Sequence, residues 1–347
     1  MRLGLRKTAG AALLGAGTLA ACSGGGSGGG TGGGPSKGTS ADLLAVGTVQ
    51  GSAPLVVHGV EYATGGAEVV VDGGPAQPDD LRPGHVVEVH GRLGSDGDAV
   101  AHRVWLRSNA IGPVDWVDLE QGRLVVLGQS VRLDADTVAA GGLDLGTGAG
   151  LEVGAPLRVS GLVLPRGEIR ATRLEPAGGA PGQQVVGTVG DVDVPNQLFA
   201  IGGLTVDYGH AVLELFGAGP LPGQNLVVTG TRRPDGILAA ESVGLADHFP
   251  FFDAGTKVHL EGWVTAIDSA HELRVGGFPV RTDDATVYVS GTQADLVSGA
   301  RVEIHGTLLT GRPSPSGSRF AGTRRRPRPW PIPSAASTAS RSRAPSR

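Results

Sequence analysis

Cysteine, methionine and aromatic residues are scarce in this chain of 347 residues, which has one Cys, one Met, 7 Phe, 4 Trp and 3 Tyr. With Cys22 alone, no intramolecular disulfide can form, and whatever folds must hold by packing. So thin an aromatic content excludes one large aromatic core and favours several small ones. Helical periodicity is missing as well. After the first 21 residues no stretch keeps a 3.6-residue apolar period for three turns without Gly or Pro, which excludes a helical body. Outside the Gly- and Ser-rich stretch 23–40, no Gly-x-Ser-x-Gly nucleophile elbow occurs.

What the chain does have is glycine, 60 residues of it, and a phrase that recurs four times. Leu81 to Gly91, Leu151 to Gly161, Leu221 to Gly230 and Leu296 to Gly306 each read as a Leu, a turn Gly, an alternating strand and a closing Gly. Successive closing glycines lie 70, 69 and 76 residues apart, the span of a small β-domain rather than of a solenoid turn. Within each phrase the apolar residues fall two apart: Val87 and Val89, Leu157 and Val159, Leu226 and Val228, Val302 and Ile304. Side chains alternate across a strand, so each pair shares one buried face. Their neighbours Glu88 with His90, Arg158 with Ser160, and Glu303 with His305 are expected to face water. A second landmark, Gly47, Gly112, Gly187 and Gly262, keeps the same beat.

The pattern predicts an all-β protein of four tandem small barrels, OB-like and with five to six strands each, strung as a rod over 45–108, 111–176, 184–246 and 257–310. Closure into barrels is favoured because an open sheet of this size leaves two adhesive edges. The closing strand expected after Thr310, of the form Ala-x-x-Val, is absent. Residues 311–347 hold nine Arg and no acidic residue, a composition that predicts a disordered basic tail. Two origins stay open for it, a natural tail or a frameshift that replaced the last strand and truncated the fourth barrel. Without the tail, 20 basic residues face 33 acidic ones, a balance of −13, which repels nucleic acid.

The N-terminus carries Arg2, Arg6 and Lys7, an apolar run from Ala9 to Ala21, and then Leu19-Ala20-Ala21-Cys22. The run is too short to span a membrane and reads as an export signal over 1–21. It resembles the bacterial lipoprotein signal. That resemblance implies cleavage before Cys22, lipid on its sulfur, attachment to the membrane through that lipid and, because Ser23 follows, sorting to the outer membrane facing the periplasm. Residues 22–44 then form a linker whose Gly/Ser/Thr-rich part is a flexible tether.

The segments Val46-Gly47-Thr48-Val49, Val57-His58-Gly59-Val60, Val69 to Gly73 and Leu81 to Gly91 resemble bacterial secreted and lipoprotein repeats known as a domain of unknown function, barrels of the oligonucleotide/oligosaccharide-binding type. The resemblance implies a fold and an envelope address, and it supplies no catalytic residues.

Candidate sites are sparse. Asp134 with Asp136, and Asp191 with Asp193, alternate at strand ends and could face a calcium ion, although Asp also serves turns on its own account. Phe249, Phe251 and Phe252 sit between the third and fourth domains as partner anchors or as a wedge between barrels. Trp105, Trp116 and Trp263 read as core or barrel-end packing. His85 and His90 lack metal spacing and read as surface polar residues. No cofactor and no catalytic residue is expected. The reading is a non-enzymatic envelope lipoprotein, a binding or scaffold module for protein or glycan. The alternatives are a carbohydrate-active or other hydrolytic enzyme and a small-ligand or calcium-binding periplasmic protein.

Overall fold

A computed structural model describes residues 2–5, 41–94, 98–178, 182–215, 219–246 and 252–309. Most of the signal segment, Cys22, most of the linker, Phe249, Phe251 and the tail lie outside the described residues. The first described strand, β1 (Arg2–Leu5), belongs spatially with the last barrel.

Barrel 1 is built from β2 (Ala41–Ser52), β3 (Leu55–Val57), β4 (Val60–Ala63), β5 (Glu68–Val71), β6 (Gly74–Ala76), β7 (Val86–Leu93) and β8 (Ala99–Leu106). Strand β2 pairs with β3, β3 with β4, β4 in parallel with β8, β8 with β7, and β7 returns to β2. This closed five-strand circuit leaves no free edge in the ring. The opening strand starts at Ala41, ahead of the expected boundary, and puts Leu43 and Leu44 fully out of solvent.

Barrel 2 repeats the circuit with β9 (Ala110–Asp118), β10 (Arg123–Val126), β11 (Gln129–Arg132), β12 (Val138–Ala139), β13 (Pro156–Val163) and β14 (Ile169–Pro176). Barrel 3 does so with β15 (Gln183–Asp193), β16 (Leu198–Ile201), β17 (Leu204–Asp207), β18 (Val212–Glu214), β19 (Asn225–Arg232) and β20 (Leu238–Leu245). Barrel 4 comprises β21 (Lys257–Ile267), β22 (Glu272–Val275), β23 (Phe278–Arg281), β24 (Val287–Val289) and β25 (Arg301–Thr307). Its closing-strand position is held by β1, antiparallel to β25 and parallel to β24.

The repeated phrase is the fourth strand of each circuit with the turn before it. All eight paired apolar residues are at most 3% exposed. The turn glycines Gly84, Gly154, Gly223 and Gly299 adopt φ of 94°, 90°, 82° and 87°, a region L side chains rarely enter. The Gly84 amide donates to the Val49 carbonyl, and the Val49 amide to that of His85. The pairs Gly154 with Val114, Gly223 with Val189 and Gly299 with Val264 reproduce this clasp. It ties each turn to the residue two beyond the opening glycine, which is why the two landmarks keep step. The closing glycines Gly91, Gly161 and Gly230 sit at β-bulges, where a Cβ would collide with the carbonyl oxygens of Val100, Arg170 and Ala239.

The barrels do not form a rod. Strands β2 and β21 pair in parallel and fuse barrels 1 and 4 into one 13-stranded sheet. Strands β9 and β15 pair antiparallel and fuse barrels 2 and 3 into a 12-stranded one. Barrels 2 and 3 share a single contiguous apolar cluster, whereas barrel 1 has its own and that of barrel 4 takes in Val46 of β2. The chain therefore doubles back so that its last barrel lies against its first. Part of the signature's outer face is covered: Ser160 is 2% and Glu88 9% exposed, against the expectation that these residues meet water, whereas the His305 side chain stays 43% exposed.

Candidate functional site

Three seams gather the polar side chains that tandem repetition placed on outer faces. At the first, barrel 1 meets barrel 2. His85, expected on the surface, is buried. The Arg82 backbone N–H donates to His85 Nδ1 at 3.0 Å, so the ring proton resides on Nε2, which donates to Glu175 Oε2 at 3.1 Å. That hydrogen bond and Arg173 beside it hold Glu175 down to about 2, against the opposing effect of burial. Thr172 and Arg173 also donate to the carbonyls of Gly84 and Pro83.

The second seam centres on Asp72, whose side chain is 5% exposed. Its Oδ1 accepts from the Ser108 amide at 2.7 Å and from Gln184 Nε2 at 3.2 Å. Its Oδ2 accepts from the Ser108 hydroxyl at 3.1 Å and lies 3.1 Å from Arg158 Nε. Arg158 comes from barrel 2 and Gln184 from barrel 3, so one carboxylate joins three barrels. Arg107 adds a link from the barrel 1–2 connection to the Leu245 and Ala246 carbonyls at the end of barrel 3.

The third seam, between barrels 1 and 4, gathers three histidines and two carboxylates. Antiparallel register sets His259 opposite His305 and Glu261 opposite Glu303. The two imidazole centroids lie 4.1 Å apart, and His58 of barrel 1 meets His259 edge-on at 6.4 Å. Glu303 Oε1 is 3.2 Å from His305 Nε2 and 4.0 Å from His58 Nδ1, while His58 Nε2 reaches the Val46 carbonyl at 2.9 Å. Like charges directly opposite on a sheet repel. Arg301, paired with Glu261, relieves that repulsion and holds the Glu261 carboxyl below its usual range despite burial. Burial, with His305 and His58 adjoining, pushes His259 down to about 4. His58, Glu261, Arg301 and Glu303 border a pocket of about 30 Å³, room for roughly one water. Among the described residues no group of three or more His, Cys, Asp or Glu has metal-holding geometry.

The four barrels meet around a second, mainly apolar cavity of about 110 Å³, with Val86 and Trp105, Leu162, Val186, and Gly262 and Phe278 contributed by barrels 1 to 4 in turn.

The residues singled out from sequence fall elsewhere. Asp134 and Asp136 are both engaged by Arg170, at 2.6 and 2.9 Å, so a guanidinium takes the place offered to a cation. Asp193 accepts from Asn196 in the β15–β16 turn, and Asp191 lies exposed on the same strand. Phe252 lies 4.5 Å from His90 and 6.4 Å, edge-on, from Trp105, which docks the last linker on barrel 1. Trp116 is 47% exposed rather than packed. Trp263 Nε1 is buried with no hydrogen-bond partner among the described residues. Sequence reading missed the meeting of His58, His259 and His305. Its trace was the alternation of His259 and Glu261 against Glu303 and His305, on two strands whose pairing the repeat already implied.

Circuit, clasp and bulge together define barrels 1 to 3 as a tandem array of closed five-stranded OB-like barrels, and barrel 4 shares the clasp. Residues 38–104, 111–175 and 261–312 match the domain of unknown function DUF5666. These ranges cover more than half of the chain, which belongs to that family. Barrel 3 lies outside the matched ranges, yet it has the same circuit and clasp. No curated protein and no solved structure matches the chain.

Proposed function

We propose that this protein is an exported, lipid-anchored, non-enzymatic module of the cell envelope. In this reading its four barrels form a stiff platform that presents loops and strand edges to a protein or glycan partner. The observation that carries the reading is how the polar residues are spent. Asp72, Glu175 and the histidine–carboxylate group bind barrel to barrel, and the pocket beside the last of these has space for little more than a water. These titratable groups fix barrel geometry, which favours presentation over turnover. Leu19-Ala20-Ala21-Cys22 supports the anchor, and the acidic balance of the body argues against nucleic acid as partner.

Mass spectrometry of the protein recovered from membranes of a producing bacterium tests the address. A chain beginning at lipid-modified Cys22 is expected, and an intact Met1 overturns that part of the reading. Capture from envelope extracts, alongside a glycan array, tests the role. One saturable protein or glycan partner is expected, whereas hydrolysis of any polysaccharide overturns the non-enzymatic assignment.

A further inference from the structure

Barrels 1 to 3 are each closed by an eight-residue strand, β8, β14 or β20. The first half of that strand runs along the third strand of the circuit. The whole strand lies antiparallel to the signature strand, and its second half also runs parallel to β5, β12 or β18. In barrel 4 only the second half of this place is filled, by the four residues of β1. Strand β23 pairs with β22 alone among the described residues.

The register of β1 matches the other closing strands. Arg2 to Leu5 stand opposite His305 to Val302, as Arg103–Leu106 stand opposite His90 to Val87. Arg173–Pro176 and Ser242–Leu245 take the equivalent places in barrels 2 and 3. The parallel partner agrees too: Arg2 to Gly4 lie along Val287–Val289 as Ser242 to Gly244 lie along Val212–Glu214. The segments read Arg-Leu-Gly-Leu, Arg-Val-Trp-Leu, Arg-Leu-Glu-Pro and Ser-Val-Gly-Leu. A polar residue followed by an apolar one is thus common to all four, and in three of them the segment ends in Leu.

We propose that the β24–β25 edge of barrel 4 is a strand-acceptor site, and that in the mature protein it takes an eight-residue extended segment of a partner protein. The segment's chemistry follows from the three closing strands. Ala101, Ala171 and Ala240 lie opposite the bulge glycines, where a Cβ on the glycine would collide with the carbonyl just before the alanine. Three residues on come Val104, Leu174 and Val243, each fully buried. The ligand therefore reads Ala-x-x-Val/Leu, with Leu two places further on as in β8 and β20, and enters antiparallel to β25. Backbone hydrogen bonds supply affinity, and the small and apolar positions supply selection. Arg2–Leu5 is the occupant in the precursor, and cleavage before Cys22 vacates the place. The vacancy, and with it the acceptor role in the mature protein, rests on the export reading above, whereas the fit of an extended segment to the β24–β25 edge does not.

The test uses three proteins: the full chain, the full chain with Leu3→Asp and Leu5→Asp, and the processed form from residue 22 with Cys22→Ser. The probe is a labelled peptide of residues 99–106, and its control replaces the Val104 and Leu106 positions with Asp. Anisotropy is expected to show saturable binding to the second and third proteins, at least about tenfold tighter than the control and than binding to the unaltered full chain. Hydrogen exchange at Val302 to His305 should slow by about tenfold or more on binding. Unchanged protection in barrels 1 to 3 verifies that each variant is folded. Equal binding of probe and control, or no added protection along β25, overturns the site. The N-terminal mass of the native protein reads separately on cleavage, so an intact Met1 sinks the export reading without touching the binding result.

Discussion

Gly91 illustrates how a single hydrogen atom in place of a side chain sets a strand's course. It stands at the bulge between β7 and β8, and a Cβ there would press into the Val100 carbonyl. Because the obstacle is backbone, relief requires moving a whole strand. Gly91→Ala is therefore expected to lower stability by about 2–3 kcal/mol. Gly66→Ala has open space around the new methyl and should stay within about 0.5 kcal/mol of the parent. Denaturant titration of both variants measures the contrast, and equal losses would refute the bulge argument. Glu175 offers a second case at this scale. Its folded-state value near 2 lies below its ordinary 4.5. The stability it contributes is thus complete above about pH 4.5 and is lost as pH falls toward 2. With its side chain 20% exposed, that contribution is at most about 3 kcal/mol. Glu175→Gln should flatten the pH dependence of the melting temperature between pH 4.5 and 3. An unchanged slope would mean that the His85 contact contributes little.

At the scale of the element, the alternation that marked each signature strand was legible because burial inside a barrel is a local matter. Val87, Val89 and their six counterparts could be assigned to the core from period alone. Their outward neighbours could not. Glu88, Ser160 and His85 sit on faces that any single barrel would leave wet, and only contact with another barrel buries them. Nothing in a two-residue period encodes which barrel that is. The same limit hid the seam where His259 faces His305, His58, Glu261 and Glu303. His259 is held near 4, below its ordinary 6.5, by burial first and then by the adjoining imidazoles. The unfolded chain binds a proton there as pH drops below 6.5, and the folded chain resists doing so until about 4. This residue therefore lowers stability progressively across that window and costs nothing at pH 7. His259→Asn is expected to remove that part of the acid sensitivity, read as a shallower fall in melting temperature between pH 6.5 and 4. A fall as steep as the parent's would assign the sensitivity to other groups.

Across the whole molecule, the question is whether four like-folded repeats behave as beads or as one body. Repetition suggested beads, because each signature closes its own circuit. The paired strands β2 with β21 and β9 with β15 argue otherwise, and so does the cluster shared by barrels 2 and 3. Asp72 gives the sharpest test because its carboxylate is answered from three barrels, by Ser108, Arg158 and Gln184. Removing one member of a buried charged group leaves the others desolvated and unpaired, and Asp72→Ala should cost about 3 kcal/mol. If the barrels are one cooperative body, hydrogen exchange should quicken in β13 of barrel 2 and β15 of barrel 3 as well as in β5, although the altered residue belongs only to barrel 1. A bead-like chain would confine the change to barrel 1, because covalent linkage alone transmits no strain between independently closed barrels. Slowed opening across all three barrels in the parent, lost together in Asp72→Ala, would place the stiffness of the platform in its seams rather than in its repeats.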